Sequence, residues 1–323
     1  KYFNMTQPDG EMAAKFLITS NLEASDGGKA IIAGNERVLR ARLDDGRFFW
    51  EQDRKKSLSD WAEGLKNVVF HADIGTMAYR VERVRGLAAE IAEALPSVDM
   101  QQVQRAAELC KADLVTGMVG EFPELQGVMG RYYALAQEEP DAVADAVRDH
   151  YLPLGPDSDC PKAPVSVAIA LADKIDMMAG LFAIGDKPTG SKDPFALRRA
   201  ALGVIRIILE NKLRLPLRHL FTAAVNNFVN LAAKKQDTKA IVDDLLQFYF
   251  DRLKVTLKND GQRHDIIDAV LSRDNSDDDL VKIVEQVEAL TRFINTSDGE
   301  NLLAAYKRCR NILSKEFKAL GEA

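Results

Sequence analysis

From Lys29 onward, apolar residues recur at three- and four-residue intervals, a rhythm that turns one face of a helix to a core and that a strand, with its period of two, cannot use. Segments such as Thr76 to Leu95 and Val165 to Phe182 keep apolar side chains at i, i+3, i+4 and i+7. Turn signals separate these segments at Pro96, Pro123, Pro140, Gly155-Pro156, Pro188, Pro216, Asn259-Asp260-Gly261 and Asp298-Gly299. Asp193-Pro194 is expected to start a helix running to Asn211, with Asp as the cap and Pro in the first turn. Strand character is confined to the beginning, where Tyr2 to Thr6 and Lys15 to Ser20 flank a Gln7-Pro8-Asp9-Gly10 turn and predict a hairpin. The fold class is therefore mainly α, with a short N-terminal β-hairpin followed by a long helix over Lys29 to about Lys56 and then helix after helix.

Composition narrows the function classes. Every long apolar stretch is interrupted by a charge within a dozen residues, which excludes a helical membrane span. Three cysteines, Cys110, Cys160 and Cys309, lie far apart with no CxxC pair, so neither a disulfide framework nor a zinc cluster is indicated and a reducing cytoplasm is the expected setting. The net charge of −6 argues against coating nucleic acid by global charge, and shifts attention to local charge. The chain opens on Lys1-Tyr2-Phe3 without an initiator Met, and it is expected to be a piece of a longer polypeptide. The dip in hydrophobicity at Lys234 to Lys239 and the acidic stretch Asp274 to Asp279 are the candidate boundaries in the second half.

Charge is locally concentrated. Between Lys187 and His219 there are eight Lys or Arg against two acids. Gly185 to Lys192 superficially suggests a nucleotide-binding loop, but Ser191 precedes Lys192 and the preceding element is helical, so a P-loop is rejected. What remains is a glycine-containing turn carrying Lys187, Thr189, Ser191 and Lys192 that leads into a helix N-terminus suited to an anion. On that helix Arg198, Arg199 and Arg206 fall within an arc of about 100° and form one cationic stripe. Its occupant is either the phosphate backbone of RNA or the carboxylates of a neighbouring helix. Lys307 and Arg308, with Arg310, Lys315 and Lys318, form a second basic cluster on the last helix.

His71, Asp113 and Asp173 are the most suggestive chemical set. A helical metal phosphohydrolase of the HD type uses a His, then a His-Asp pair, then a distant Asp, and the strings Ala106 to Leu114 and Leu171 to Asp176 resemble the last two of these helices. The central His is Ala112 here, so no resident metal is expected, and Asp113 and Asp173 are read as buried, hydrogen-bonded residues that hold helices in register. A working HD-type phosphohydrolase is the alternative. His264-Asp265 has no matching partner downstream, and His150, His219 and His264 are assigned surface or capping roles.

Taken together the strings resemble the beta subunit of the bacterial two-subunit glycyl-tRNA synthetase. The residues that carry the resemblance are Lys1-Tyr2-Phe3, Gly34 to Leu43, Phe48-Phe49, Asp53 to Lys56, and two long blocks, Lys111 to Gly130 and Ala172 to Gly203. The resemblance weakens after Pro216. It implies the end of a preceding domain over 1–56, an HD-like helical domain over 57–215, and over 216–323 a helical linker and the start of an anticodon-binding-like domain, signalled by Ala305 to Leu313. It further implies an alpha-subunit partner that carries the ATP, Mg and glycine chemistry, with no cofactor bound by this stretch. The role implied for this chain is to bind tRNA-Gly and act as scaffold, through Lys187, Thr189, Ser191, Lys192, Arg198, Arg199, Arg206, Lys307 and Arg308.

Overall fold

The computed structural model describes residues 2–228, 237–272 and 278–321, with side chains described to residue 313. The chain forms two compact units, Lys1–Asp53 and Arg54–Ala323. In the first, β1 (Tyr2–Thr6) and β2 (Met12–Ile18) pair antiparallel with Tyr2 opposite Ile18, and α1 (Lys29–Asp53) follows. The turn closes through Gly10 N–H to the Gln7 carbonyl at 3.0 Å, and Gly10 sits at φ +88, a conformation that glycine adopts without strain. Tyr2 donates its hydroxyl to Asn35 Oδ1 at 2.8 Å, tying the hairpin to the helix.

The second unit begins with α2 (Leu58–Ala62), held by a reciprocal capping box between Ser57 and Asp60. A small hairpin follows, β3 (Val69–His71) with β4 (Gly75–Thr76). The sequence pattern misses it because each strand is too short to display alternation. Then come α3 (Met77–Glu93), α4 (Met100–Leu109), α5 (Gly117–Glu121), α6 (Val128–Ala136), α7 (Asp141–Asp149), α8 (Pro164–Ile184), α9 (Leu197–Glu210), α10 (Leu217–Asn226), α11 (Thr238–Asn259), α12 (His264–Leu271), α13 (Leu280–Ile294) and α14 (Ser297–Gly321). The mainly helical fold class is thus observed. Capping carboxylates and hydroxyls account for many starts: Thr76, Asp99, Thr116, Asp237 and Asp279 each accept a backbone N–H in the first turn of the helix they precede.

Helix α8 is the axis of the bundle. Pro164 opens it, Gly185 closes it in the left-handed conformation, and almost every residue between is buried. A helix that is apolar all round has to be enclosed, and α3, α4, α7, α9, α10 and α11 all pack against it. Helices α10 and α11, beyond Pro216, therefore share this core. The close-packed interior shows at Gly180, where an added Cβ would meet the Phe228 ring at 3.0 Å.

Two expected boundaries are corrected. Helix α9 starts at Leu197 rather than at Asp193-Pro194, because Asp193 reaches forward across a turn to accept from the N–H groups of Leu197 (2.8 Å) and Arg198 (3.0 Å). Asp298-Gly299 is no turn but lies within the first turn of α14. Of the candidate boundary at 234–239, residues 234–236 lie outside the described residues, and so do 274–277 of the acidic stretch. Asp279 at its end caps α13.

Gly130 on α6 is a close-approach point: a Cβ there would lie 2.6 Å from Val147 Cγ1 and 2.9 Å from Asp113 Oδ2. Gly130→Ala is expected to destabilise the protein by about 1–3 kcal/mol through overpacking, read as a lower urea midpoint than that of Gly120→Ala, where the added methyl meets nothing within 4 Å.

Candidate functional site

The helical register of α3 and α8 places two cations against two carboxylates. On α3, Arg80 and Arg83 are separated by three residues, as are Asp173 and Asp176 on α8, so both pairs project from single faces. Arg80 Nη2 donates to Asp173 Oδ1 at 3.0 Å and to the Asp173 carbonyl at 3.1 Å. Arg83 grips Asp176 with Nε at 2.7 Å and Nη2 at 3.3 Å. The guanidinium of Arg80 lies over the Phe70 ring at 4.2 Å, and that of Arg83 over Phe228 at 4.4 Å. From the segment after α4, Lys111 completes the set by donating to Asp173 Oδ2 at 3.2 Å while lying 4.0 Å from the centre of the Tyr151 ring. Burial alone opposes ionisation of Asp173, but the fields of Arg80 and Lys111 prevail and hold its carboxyl well below the usual carboxylate range. Burial lowers the pKa of Lys111, and that of Lys174 to about 8. Lys174 donates to the carbonyls of His150 (3.0 Å) and Leu152 (2.6 Å).

Asp113 serves another purpose. Its Oδ2 accepts from Gly127 N–H at 2.6 Å and Gly130 N–H at 3.1 Å, so it caps α6, whose own cap residue, Gly127, has no side chain and sits at φ +77. Its Oδ1 is buried without a partner, and burial pushes the carboxyl up to about 6. His71, on β3, pairs with Asp186 (Nε2 to Oδ2, 3.4 Å), and its ring meets Phe195 edge-on. His150 is fully buried rather than on the surface. Its Nδ1 bonds to the Val147 carbonyl at 2.8 Å at the end of α7, and burial keeps it neutral by lowering its pKa well below the usual value. His219 and His264 are exposed and face Glu90 and Asp268.

An HD-type metal centre does not fit these residues. The carboxylate oxygens of Asp173 already receive Arg80 and Lys111, Asp113 is turned to a helix start, and His71 faces Asp186. Among the described residues no three His, Cys, Asp or Glu side chains gather where they could hold one cation. The sequence expectation missed Arg80, Arg83 and Lys174, although the signal was present: Arg80 occupies the apolar stripe of α3 defined by Val84, Leu87 and Ile91.

The basic residues divide into those engaged within the fold and those left free. Arg206 donates with Nε and Nη2 to Glu210 and with Nη1 and Nη2 to the carbonyls of Gly155, Pro156 and Ser158, all at 2.9–3.1 Å. These five contacts engage every N–H that a guanidinium has, so Arg206 works as a clamp on the 155–158 loop and not as a phosphate contact. Lys187 is ion-paired with Asp244 on α11. Arg198 donates to the Gly190 carbonyl at 2.6 Å, and Thr189 and Lys192 exchange backbone hydrogen bonds, which together shape the loop. Thr189, Ser191, Lys192 and Arg199 are exposed. Lys192 and Arg199 have no ion-pair partner among the described residues. The helix N-terminus that was expected to take an anion is already capped by Asp193. Lys307 and Arg308 are exposed on α14 and share no hydrogen bond or ion pair with this loop, while the side chains of Lys315 and Lys318 lie outside the described residues.

Arg199 stands at a cavity of about 400 Å³, also lined by Arg80, Lys111, Tyr151, Asp173, Lys174 and Phe195. Asp113 provides a pH test of the neighbouring packing. Its pKa is raised on folding, from an ordinary 3.8 to about 6, so between these values the folded state holds the extra proton, and stability falls as pH rises through the window. Asp113→Asn retains an acceptor for the two glycine N–H groups without a charge. It is expected to remove that slope and to gain on the wild type by roughly 2–3 kcal/mol between pH 4 and pH 7, measured by urea unfolding across pH.

A family model described as the glycyl-tRNA synthetase beta subunit matches residues 1–272. Curated relatives called glycine–tRNA ligase beta subunit include one from Rhodospirillum centenum, 51% identical over 323 residues, covering 99% of this chain and 44% of the relative. Those from Paracoccus denitrificans (51% identical, 98% of this chain, 44% of the relative) and Phenylobacterium zucineum (50%, 98% and 45%) are similar. The chain thus spans a little under half the length of the relatives it matches. With the match extending across both compact units, the chain belongs to the glycyl-tRNA synthetase beta subunit family.

Proposed function

We propose that this chain is the tRNA-binding and scaffolding part of a glycine–tRNA ligase beta subunit, acting with an alpha subunit that supplies ATP-dependent glycine activation, in the cytoplasm. The observation that carries this reading is the division of charge just described. The centre of the helical unit is a cluster of buried ion pairs in which cations outnumber carboxylates and, among the described residues, no metal donor set gathers, whereas Lys192 and Arg199 are exposed and have no ion-pair partner among the described residues, on a loop braced by Arg198. Such cations contact RNA phosphates and position the backbone without reading sequence. Thr189 and Ser191 offer hydroxyls beside them. Lys307 and Arg308 supply a second exposed basic stretch on α14. No described helix is long and apolar enough to cross a membrane. The phosphohydrolase reading has no support in the donor geometry.

Lys192→Glu in the alpha–beta enzyme is expected to weaken tRNA-Gly binding several-fold and to lower the slope of log affinity against log salt by about one counterion. The glycine- and ATP-dependent formation of the adenylate is expected to stay unchanged. Unaltered tRNA affinity and salt slope would remove this loop from the RNA interface.

A further inference from the structure

The cavity beside Arg199 shares that arginine with the basic loop, but the rest of its wall has no part in the function proposed above. Its wall carries four basic side chains, Arg80, Lys111, Lys174 and Arg199, and one acid, Asp173. Three of the four are at least nine-tenths buried. A single carboxylate cannot satisfy them. Asp173 receives Nη2 of Arg80 and one N–H of Lys111; Arg80 Nε has no hydrogen-bond partner and stands 3.9 Å from Asp176, a carboxylate already gripped by Arg83, and Arg80 Nη1 makes no hydrogen bond among the described residues. Lys174 gives two of its three N–H groups to carbonyls, and Arg199 gives none. A buried surplus of positive charge with unused donors is unfavourable unless an anion completes it.

We propose that this cavity binds a phosphomonoester dianion, with Arg199 at the mouth and Lys111 and Arg80 at the back. A dianion offsets most of the surplus charge. The volume of about 400 Å³ lies near the lower end of small-ligand sites, which suits a group no larger than a mononucleotide and excludes a duplex. Tyr151 and Phe195 supply aromatic wall beside the charged patch. Burial depresses the basicity of Lys111 and Lys174, and an entering anion favours the ammonium form of both. Two sources present this chemistry: a free mononucleotide or phosphate ester, and the phosphorylated 5′ end of an RNA. The site stands on the cavity's own residues and does not depend on the tRNA reading.

The test uses the complete alpha–beta enzyme, the variants Arg199→Gln and Lys111→Met, and calorimetric titration with inorganic phosphate and with uridine 5′-monophosphate. Binding of one phosphate or nucleotide per beta chain, weakened at least tenfold by Arg199→Gln, is expected. Arg199 is exposed, so its variant keeps the test valid if Lys111→Met fails to fold. In parallel, tRNA-Gly bearing a 5′-phosphate is compared with its 5′-hydroxyl form. A several-fold preference for the phosphate that disappears in Arg199→Gln assigns the site to an RNA end, and nucleotide binding without that preference assigns it to a free ester. Either result supports the site. If neither ligand binds at millimolar concentration and both tRNA forms bind alike, or if binding is unchanged in Arg199→Gln, the proposal is overturned. The Lys192→Glu result is independent of all these outcomes.

Discussion

The helical unit depends on one buried electrostatic arrangement: Asp173 held between Arg80 and Lys111 at 3.0 and 3.2 Å. Its three members come from α3, from the segment following α4, and from α8, so the contact fixes the relative register of three parts of the bundle. Removing a single member leaves a buried charge without compensation, a far larger penalty than loss of an exposed ion pair. Arg83 with Asp176 repeats the device one turn further along the same two helices. Through the matched spacing of two arginines against two aspartates, the ion pairs add a directional constraint to the apolar packing of α3 on α8.

The same arrangement sets the chemistry. Both oxygens of Asp173 face cations of the chain itself, and Asp113 caps a helix. A guanidinium and an ammonium fill the positions around Asp173 that a divalent ion would have to occupy. The cost is an excess of positive charge around one carboxylate. Outside the cluster, the 185–199 segment shows the opposite economy: Asp193 and Arg198 fold the loop back on itself, and Lys192 and Arg199 remain turned to solvent. The family assignment and this separation of committed from uncommitted charge are the two observations on which the proposed RNA-positioning role rests.

Much of the architecture was legible in the sequence because its determinants are local. The apolar spacing of Thr76 to Leu95 and of Val165 to Phe182 announces α3 and α8, and Gln7 to Gly10 turns the first hairpin. Determinants that act across the fold were harder to read. Nothing local to the α9 sequence distinguishes Arg206, clamped on Glu210 and three carbonyls, from Arg199, which has no ion-pair partner among the described residues. The start of α9 was misplaced because Asp193 caps from four residues ahead of Leu197, through an intervening turn with Ala196 at φ +54. Burial of His150 follows from packing around Lys174, which sequence proximity does not reveal.

The most direct test of this account is equilibrium unfolding of Asp173→Asn beside the wild-type chain, each with and without added Mn²⁺. If Asp173 neutralises Arg80 and Lys111, the substitution lowers stability by about 3–5 kcal/mol, and Mn²⁺ changes neither protein. A variant as stable as the wild type would contradict the account by showing that the bundle does not depend on this carboxylate, and a wild type stabilised by Mn²⁺ in a way that Asp173→Asn abolishes would show that Asp173 is a metal ligand instead.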